Sequence, residues 1–337
     1  MTAPVITSLL LLGLFWVSSA RHWKHLVQDG EMLSSKHLIK RSPGGGLVDL
    51  ERHESVKKGK QKRRETKIKP NEECGVQHVQ FTPPEHSRMP RIRNGTCAPY
   101  GSLPWTAQIQ IINDGDYMHH CGGTIISENY ILTASHCFGS SSDYGIMKVV
   151  VGQDGMGVQE NKEMGFQIEK VFRHKNYQSE GPYSHDIALI KLKSKGDGRG
   201  IRFSPEVQQI CLPNPEDKIK DDLQCVISGW GKTDPSGPVR PDCLRAATIP
   251  IINQDKCEKM YTYFSQGVLK NMVCAGYTEG GVDACKGDSG GPLSCLIDGS
   301  YKLVGIVSWG HGCGQANKPG VFTRVQSFLD WIENKME

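Results

Sequence analysis

KGDSGGP, at 286–292, sets a serine between an aspartate and two glycines. A serine hydroxyl is a weak nucleophile until a base takes its proton and amide N–H groups wait for the oxyanion that develops on a substrate carbonyl. Glycines on both sides let the backbone come close to that carbonyl, which makes Ser289 the candidate nucleophile and the N–H groups of Gly287 and Ser289 a candidate oxyanion hole. The base must come from among twelve histidines. LTASHCF, at 132–138, singles out His136, which follows an apolar strand and abuts Cys137; a disulfide to nearby Cys121 would fix its backbone. Asp186, in SHDIALIKL at 184–192, precedes an apolar strand where burial makes an unpaired carboxylate costly. A hydrogen bond to His136 would compensate, fix the imidazole tautomer and steady the imidazolium. His119 and His120 offer two metal ligands without an evident third and read as strand or surface residues.

These residues need rigid elements to hold them. TAQIQII, GGTIIS, MKVVVG, IALIKL, CVISGW and KLVGIVSW are β-branched runs bounded by Gly, Asn, Asp or Pro, the pattern of an all-β barrel or sandwich. Only the end, VQSFLDWIENKME, spaces its apolar residues Val325, Phe328, Leu329 and Ile332 for a helix face. No internal repeat of short period is present.

The first twenty residues contain VITSLLLLGLFWV and end in Ser18-Ser19-Ala20, as a secretory signal peptide does. The apolar run is short of the roughly 18 to 20 residues that span a bilayer, so the expectation is a secreted, extracellular chain with no membrane span. Twelve cysteines without a C-x-x-C pair then indicate six disulfides rather than a zinc site. Residues 21–91 carry 16 basic and 9 acidic side chains, leaving 24 against 27 for residues 92–337. The basic character belongs to the leader, and nucleic-acid binding by the body is not indicated. From 21 to about 73 the composition is too polar to bury a core, so a largely disordered pro-region is expected. Its clusters Lys40-Arg41 and Lys62-Arg63-Arg64 fit processing at Arg41 or Arg64, a solvated charge run, or contact with an anionic polysaccharide.

Together, the motifs around His136, Asp186 and Ser289, in that chain order, make residues 92–337 resemble the chymotrypsin and trypsin family of secreted serine endopeptidases. The resemblance implies two six-stranded antiparallel β-barrels with a C-terminal helix, and the three residues as catalytic triad. Ser135 departs from it, because the family usually has alanine before the histidine. In trypsin-like members an aspartate six residues before the nucleophile lies at the bottom of the primary pocket; here that is Asp283, with Gly310 and Gly320 at the two wall positions. An anionic floor between open walls implies cleavage after Arg or Lys. Ala284 brings no hydroxyl to help solvate an ammonium, so arginine, whose fork can grip the carboxylate, is the expected preference. Ser308, Trp309 and Gly310 match the strand that pairs with substrate backbone, and Tyr183 the neighbouring subsite.

The resemblance also implies the disulfides: Cys121–Cys137, Cys225–Cys295, Cys257–Cys274, Cys285–Cys313, Cys97–Cys243, and Cys74–Cys211, the last tethering a light chain through CGVQ. No cofactor or metal is expected: Gln153 stands where the calcium loop of some relatives begins with glutamate, leaving Glu163 as a far ligand only, and Pro319 stands where sodium-binding relatives have tyrosine. IRNGTCAPYGSLPW, from Ile92, follows the family's mature N-terminus. The expected organisation is therefore a signal peptide (1–20), a pro-region or light chain (21–91) and a protease domain (92–337), activated by a cut after Arg91 that frees Ile92 to pair with Asp288. Arg93, where most relatives are aliphatic, reads either as a solvent-facing residue or as a competing cut point, and Asn94 lies in the chain's one N-glycosylation sequon. The implied partners are protein substrates with Arg or Lys sites, an activating protease, protein inhibitors and anionic polysaccharide. Two other readings stand beside this one, a catalytically silent protease-like binding protein and a carrier of a basic polysaccharide-binding propeptide.

Overall fold

The computed structural model describes residues 73–82, 95–139, 144–156, 160–196, 198–233, 241–262 and 267–337. The signal peptide, the basic clusters of the leader, and Arg91, Ile92, Arg93 and Asn94 lie outside the described residues.

After a short strand β1 (Thr96–Cys97), six strands form the first barrel: β2 (Thr106–Asn113), β3 (Asp116–Ser127), β4 (Tyr130–Thr133), β5 (Met147–Val151), β6 (Met164–Arg173) and β7 (Ala188–Leu192). They run in the order β2-β3-β4-β7-β6-β5, and β5 returns to pair with β2. Six more form the second: β8 (Gln224–Gly229), β9 (Arg245–Ile252), β10 (Met272–Ala275), β11 (Pro292–Ile297), β12 (Ser300–Trp309) and β13 (Gly320–Arg324). Here the order is β9-β10-β13-β12-β11-β8; β8 closes on β9, and β1 adds to the outside of β9. All these pairings are antiparallel, so the fold is two closed six-stranded barrels, and closure removes the free edges that a sheet would otherwise expose.

Each barrel has its own apolar filling. Ile109, Ile125, Leu132, Val149, Phe166 and Ile190 are among the buried residues of the first, and Ile227, Ile249, Val273, Leu293, Val304 and Phe322 of the second. The seam between them is polar and satisfied. Trp105 Nε1 donates to Ser294 Oγ at 2.9 Å, and Thr106 Oγ1 shares a hydrogen with Ser228 Oγ at 2.8 Å. Gly122 N, in β3, donates to Ser289 O at 2.8 Å.

All six strands read from the sequence are present. The elements that pattern does not disclose have physical reasons. β6 carries a bulge between Ile168 and Lys170 that breaks the two-residue alternation. β9 contains Pro250, and α1 (Gln254–Met260) is only seven residues long, started by Asn253, whose side chain accepts from Lys256 N at 3.1 Å. The C-terminal segment is not one helix. A 3₁₀ turn at Val325–Phe328 precedes α2 (Leu329–Met336); Val325, Phe328 and Ile332 are buried, while Leu329 is half-buried.

All twelve cysteines are paired: Cys74–Cys211, Cys97–Cys243, Cys121–Cys137, Cys225–Cys295, Cys257–Cys274 and Cys285–Cys313. The segment 73–82 is held by more than its disulfide. Gly75 N donates to Gln209 O at 2.9 Å and Gly75 O accepts from Tyr301 N at 3.0 Å, while Phe81 is buried in the first core.

The two barrels approach each other closely at Gly122. A Cβ there would stand 2.8 Å from Gly291 Cα, backbone against backbone. Gly122→Ala is therefore expected to destabilise by about 1–3 kcal/mol, as overpacking does. Gly165→Ala, where nothing lies within 4 Å of the added carbon, is expected to be neutral. Urea unfolding midpoints check both, and equal midpoints for the two variants would show that the seam can open.

Candidate active site

Local geometry places His136 first. β4 ends at Thr133, and the chain enters a 3₁₀ turn at Ser135–Cys137 that the Cys121–Cys137 disulfide ties back to β3. Ser135 is buried, and its Oγ donates to Ile187 O at 2.7 Å, a bond that alanine lacks. It links the turn of His136 to the residue after Asp186.

Asp186 is 0% exposed. Its Oδ1 accepts from His136 N at 2.9 Å, and its Oδ2 accepts from His136 Nδ1 at 2.7 Å and from Ser308 Oγ at 2.6 Å. A carboxylate only accepts, so Nδ1 carries the proton and Nε2 is left as the ring's acceptor. Thr323 Oγ1 donates to Asp186 O at 2.7 Å. Burying an ion without donors costs several kcal/mol, which gives the buried Ser308 a reason to stand in β12, while Thr323 holds the backbone carbonyl of the same residue.

The loop of Ser289 is pinned from both barrels. Gly122 N donates to Ser289 O and Gly290 N to Val307 O, each at 2.8 Å. The Sγ of Cys137 lies 3.7 Å from Ser289 O, beside the turn of His136. Gly290 has φ 78°, and a Cβ there would fall 2.1 Å from Thr133 Oγ1. Gly287, with φ 103°, would place one 3.0 Å from Gly231 Cα. Ser289 is half-buried, and no hydrogen bond joins its Oγ to His136 among the described residues.

The two histidines of β3 take positions that the sequence did not disclose. His119 is buried, and its Nε2 donates to Gly287 O at 2.7 Å; His120 Nε2 lies 2.8 Å from Cys137 O. One steadies the loop of the candidate oxyanion hole, and the other the turn of His136. Among the described residues, three potential metal ligands gather only at Cys121, His136 and Cys137, where the disulfide already uses both sulfurs.

Asp288, next to Ser289, is a second buried carboxylate with fewer donors. Its Oδ1 accepts from Gly231 N and its Oδ2 from Cys285 N, each at 2.8 Å. Gly229 and Gly231 form its cradle, since a Cβ at either would approach the carboxyl oxygens to within 2.5 Å. Burial pushes the acid up to about 6 against the pull of the two amides, and no cationic side chain pairs with it among the described residues.

The remaining residues form one connected set from Asp283 to His136. Asp283 is 4% exposed, and its Oδ2 accepts from Gly314 N at 2.8 Å. A Cβ on Gly320 would stand 2.9 Å from Asp283 Oδ1, while at Gly310 the nearest atom would be 3.8 Å away. The Cys285–Cys313 disulfide joins the loops on either side. Tyr261 packs edge-on against Trp309 with centroids 5.0 Å apart, and burial, then the nearby Asp283 charge, raises its hydroxyl pKa. Trp309 stacks on Tyr183 at 6.2 Å, and Tyr183 meets the ring of His136 edge-on at 6.0 Å.

A family profile described as Trypsin matches residues 92–332. Among curated proteins, the chain is 40% identical over 263 residues to a hepatocyte growth factor activator serine protease of Canis lupus familiaris and 39% to that of Homo sapiens. It is 36% identical over 277 residues to tissue-type plasminogen activator of Rattus norvegicus. These alignments cover 78%, 78% and 80% of this chain but only 38%, 38% and 48% of the relatives, so it spans less than half of their length.

Proposed function

The chain belongs to the trypsin family of serine proteases, and from that premise we propose that it is a secreted zymogen of an endopeptidase that cleaves proteins after arginine, then lysine. The observation that carries the reading is the hold of Asp186 on His136 Nδ1, which leaves Nε2 free to act as a base. In the proposed reaction Nε2 takes the proton of Ser289 as its oxygen attacks the scissile carbonyl, and the N–H groups of Gly287 and Ser289 receive the oxyanion. His136 then returns the proton to the departing amine, and water repeats the cycle on the acyl-enzyme. A bound arginine side chain would end against Asp283, a nearly dry carboxylate beside Gly320.

Activation is proposed to follow a cut between Arg91 and Ile92. What supports it is the state of Asp288, a carboxylate buried in a glycine cradle with two amides and no cationic side chain among the described residues. A freed α-amino group would supply that charge. Light and heavy chains would remain joined by Cys74–Cys211. The activating protease and the substrates are expected to be extracellular proteins, and no described helix is long and apolar enough to cross a membrane.

Three tests follow. Ser289→Ala in the activated protein is expected to abolish hydrolysis of arginyl peptides without changing its unfolding midpoint, and Asp283→Ser to remove the preference for basic residues. Retained hydrolysis in the first, or retained arginine preference in the second, would contradict the reading. The third test is pH dependence. In the uncleaved chain a carboxyl raised from 3.8 to about 6 favours its neutral form, so the folded pocket loses stability, on the order of 3 kcal/mol in all, as pH rises from about 4 to a little above about 6. Pairing with the Ile92 amine reverses the sign: that amine, ordinarily near ~8, is raised, and stability holds at neutral pH until the amine titrates. A fluorescent benzamidine should therefore bind the uncleaved chain better at pH ~5.5 than at pH ~8, and the cleaved enzyme well at both, with loss only in alkali. Identical profiles for the two forms would exclude the switch.

A further inference from the structure

We propose that the outer wall of the first barrel is a binding surface for sulfated polysaccharide, built from Lys170, Lys191, Lys193, Lys195 and Lys335. In the β6–β7 ladder Lys170 stands directly opposite Lys191. Like charges so paired are destabilising, and the bulge that creates the pairing displaces Glu169, whose Oε1 accepts from Lys191 Nζ at 2.7 Å. Lys193 extends the row, its N donating to Gln167 O at 2.9 Å. On the other side of Lys191 lies Tyr130 of β4, whose hydroxyl donates to Met336 O at 3.4 Å, so the end of α2 reaches this row. Lys335 Nζ is 6.0 Å and Lys170 Nζ 4.7 Å from the centroid of the Phe172 ring, while Lys195 Nζ sits 4.7 Å over Phe166. Lys170, Lys193, Lys195 and Lys335 are exposed, and of the five only Lys191 has a carboxylate partner among the described residues.

Residues 92–337 carry more acidic than basic groups, so five lysines gathered on one wall, one of them paired with Glu169, are a local concentration against the balance of the domain. Their layout selects the ligand. Strands lie about 4.8 Å apart and alternate residues about 7 Å along each, which makes an array of point charges on an open wall rather than a pocket for one phosphate. Such an array fits the repeated sulfates of a linear chain, each met by a compact ammonium. A lipid surface would call for apolar anchors beside the cations, and none of the exposed large apolar residues, Ile112, Tyr117, Met118, Ile146, Tyr183 and Leu296, lies on β6, β7 or α2. The row runs along β7 away from Asp186, which precedes that strand, so an occupied wall leaves the active-site cleft open.

The test uses the full chain with heparin as probe, because the leader is also basic. Affinity is measured across NaCl concentrations for the parent, for Lys170→Gln/Lys193→Gln/Lys195→Gln, and for a variant with the basic residues of 57–64 replaced by glutamine. The triple variant is expected to bind about tenfold or more weakly near physiological salt, with the slope of log affinity on log salt reduced by about 2 through counterion release. The leader variant should keep salt-sensitive binding that the triple substitution then removes. The triple variant's unfolding midpoint should equal or exceed the parent's, since it relieves the Lys170–Lys191 repulsion. An unchanged slope in the triple variant, loss of all binding with the leader substitutions alone, or binding to phosphatidylserine vesicles in place of heparin would overturn the proposal.

Discussion

A carboxylate with no access to water, Asp186, has to be satisfied wherever the chain places it, and here the donors come from both barrels. Its side chain and that of His136 belong to the first barrel, while Ser308, in β12, donates to the carboxylate from the second, where Thr323, in β13, also holds the Asp186 backbone carbonyl. The seam therefore cannot slide without stranding a buried ion, and each apolar core is locked to the other through one charge. The same bonds set the proton on His136 Nδ1. Position and tautomer of the imidazole thus follow from one desolvated oxygen pair.

Asp288 shows what changes when the donors are fewer. It is as deeply buried, but two amides are its partners in place of an imidazole, an amide and a hydroxyl, and its pKa rises to about 6. The first carboxylate has three donors and the second two, with the glycines at 229, 231, 287 and 290 giving the Asp288 loop the room to sit where it does. In the proposed enzyme that difference separates a permanent part of the machinery from the part that cleavage switches. The two are joined by the short path from Asp288 to Ser289.

Much of this was legible in the sequence because chemistry and closure leave local marks. Barrel strands show β-branched runs, and a serine between glycines or a histidine beside a cysteine stands out in a few residues. What local pattern cannot carry is a contact made across distance. His119 bonds Gly287 O across 168 positions, and nothing around His119 in the sequence says so. Ser135 was visible as a departure, but its reason, the Ile187 carbonyl, depends on the fold. The lysine wall was hidden in the same way: Lys170, Lys191 and Lys335 meet only because a bulge sets the register and α2 ends at Tyr130.

The proposed base chemistry depends on the direction of the Asp186–His136 hydrogen bond, and the ¹⁵N spectrum of histidine-labelled protein at a pH where His136 is neutral reads that direction. The prediction is a protonated, pyrrole-like Nδ1 and a pyridine-like Nε2 for His136, with the pattern abolished by Asp186→Asn. A neutral His136 carrying its proton on Nε2, or one whose tautomer is indifferent to Asp186, would contradict the account.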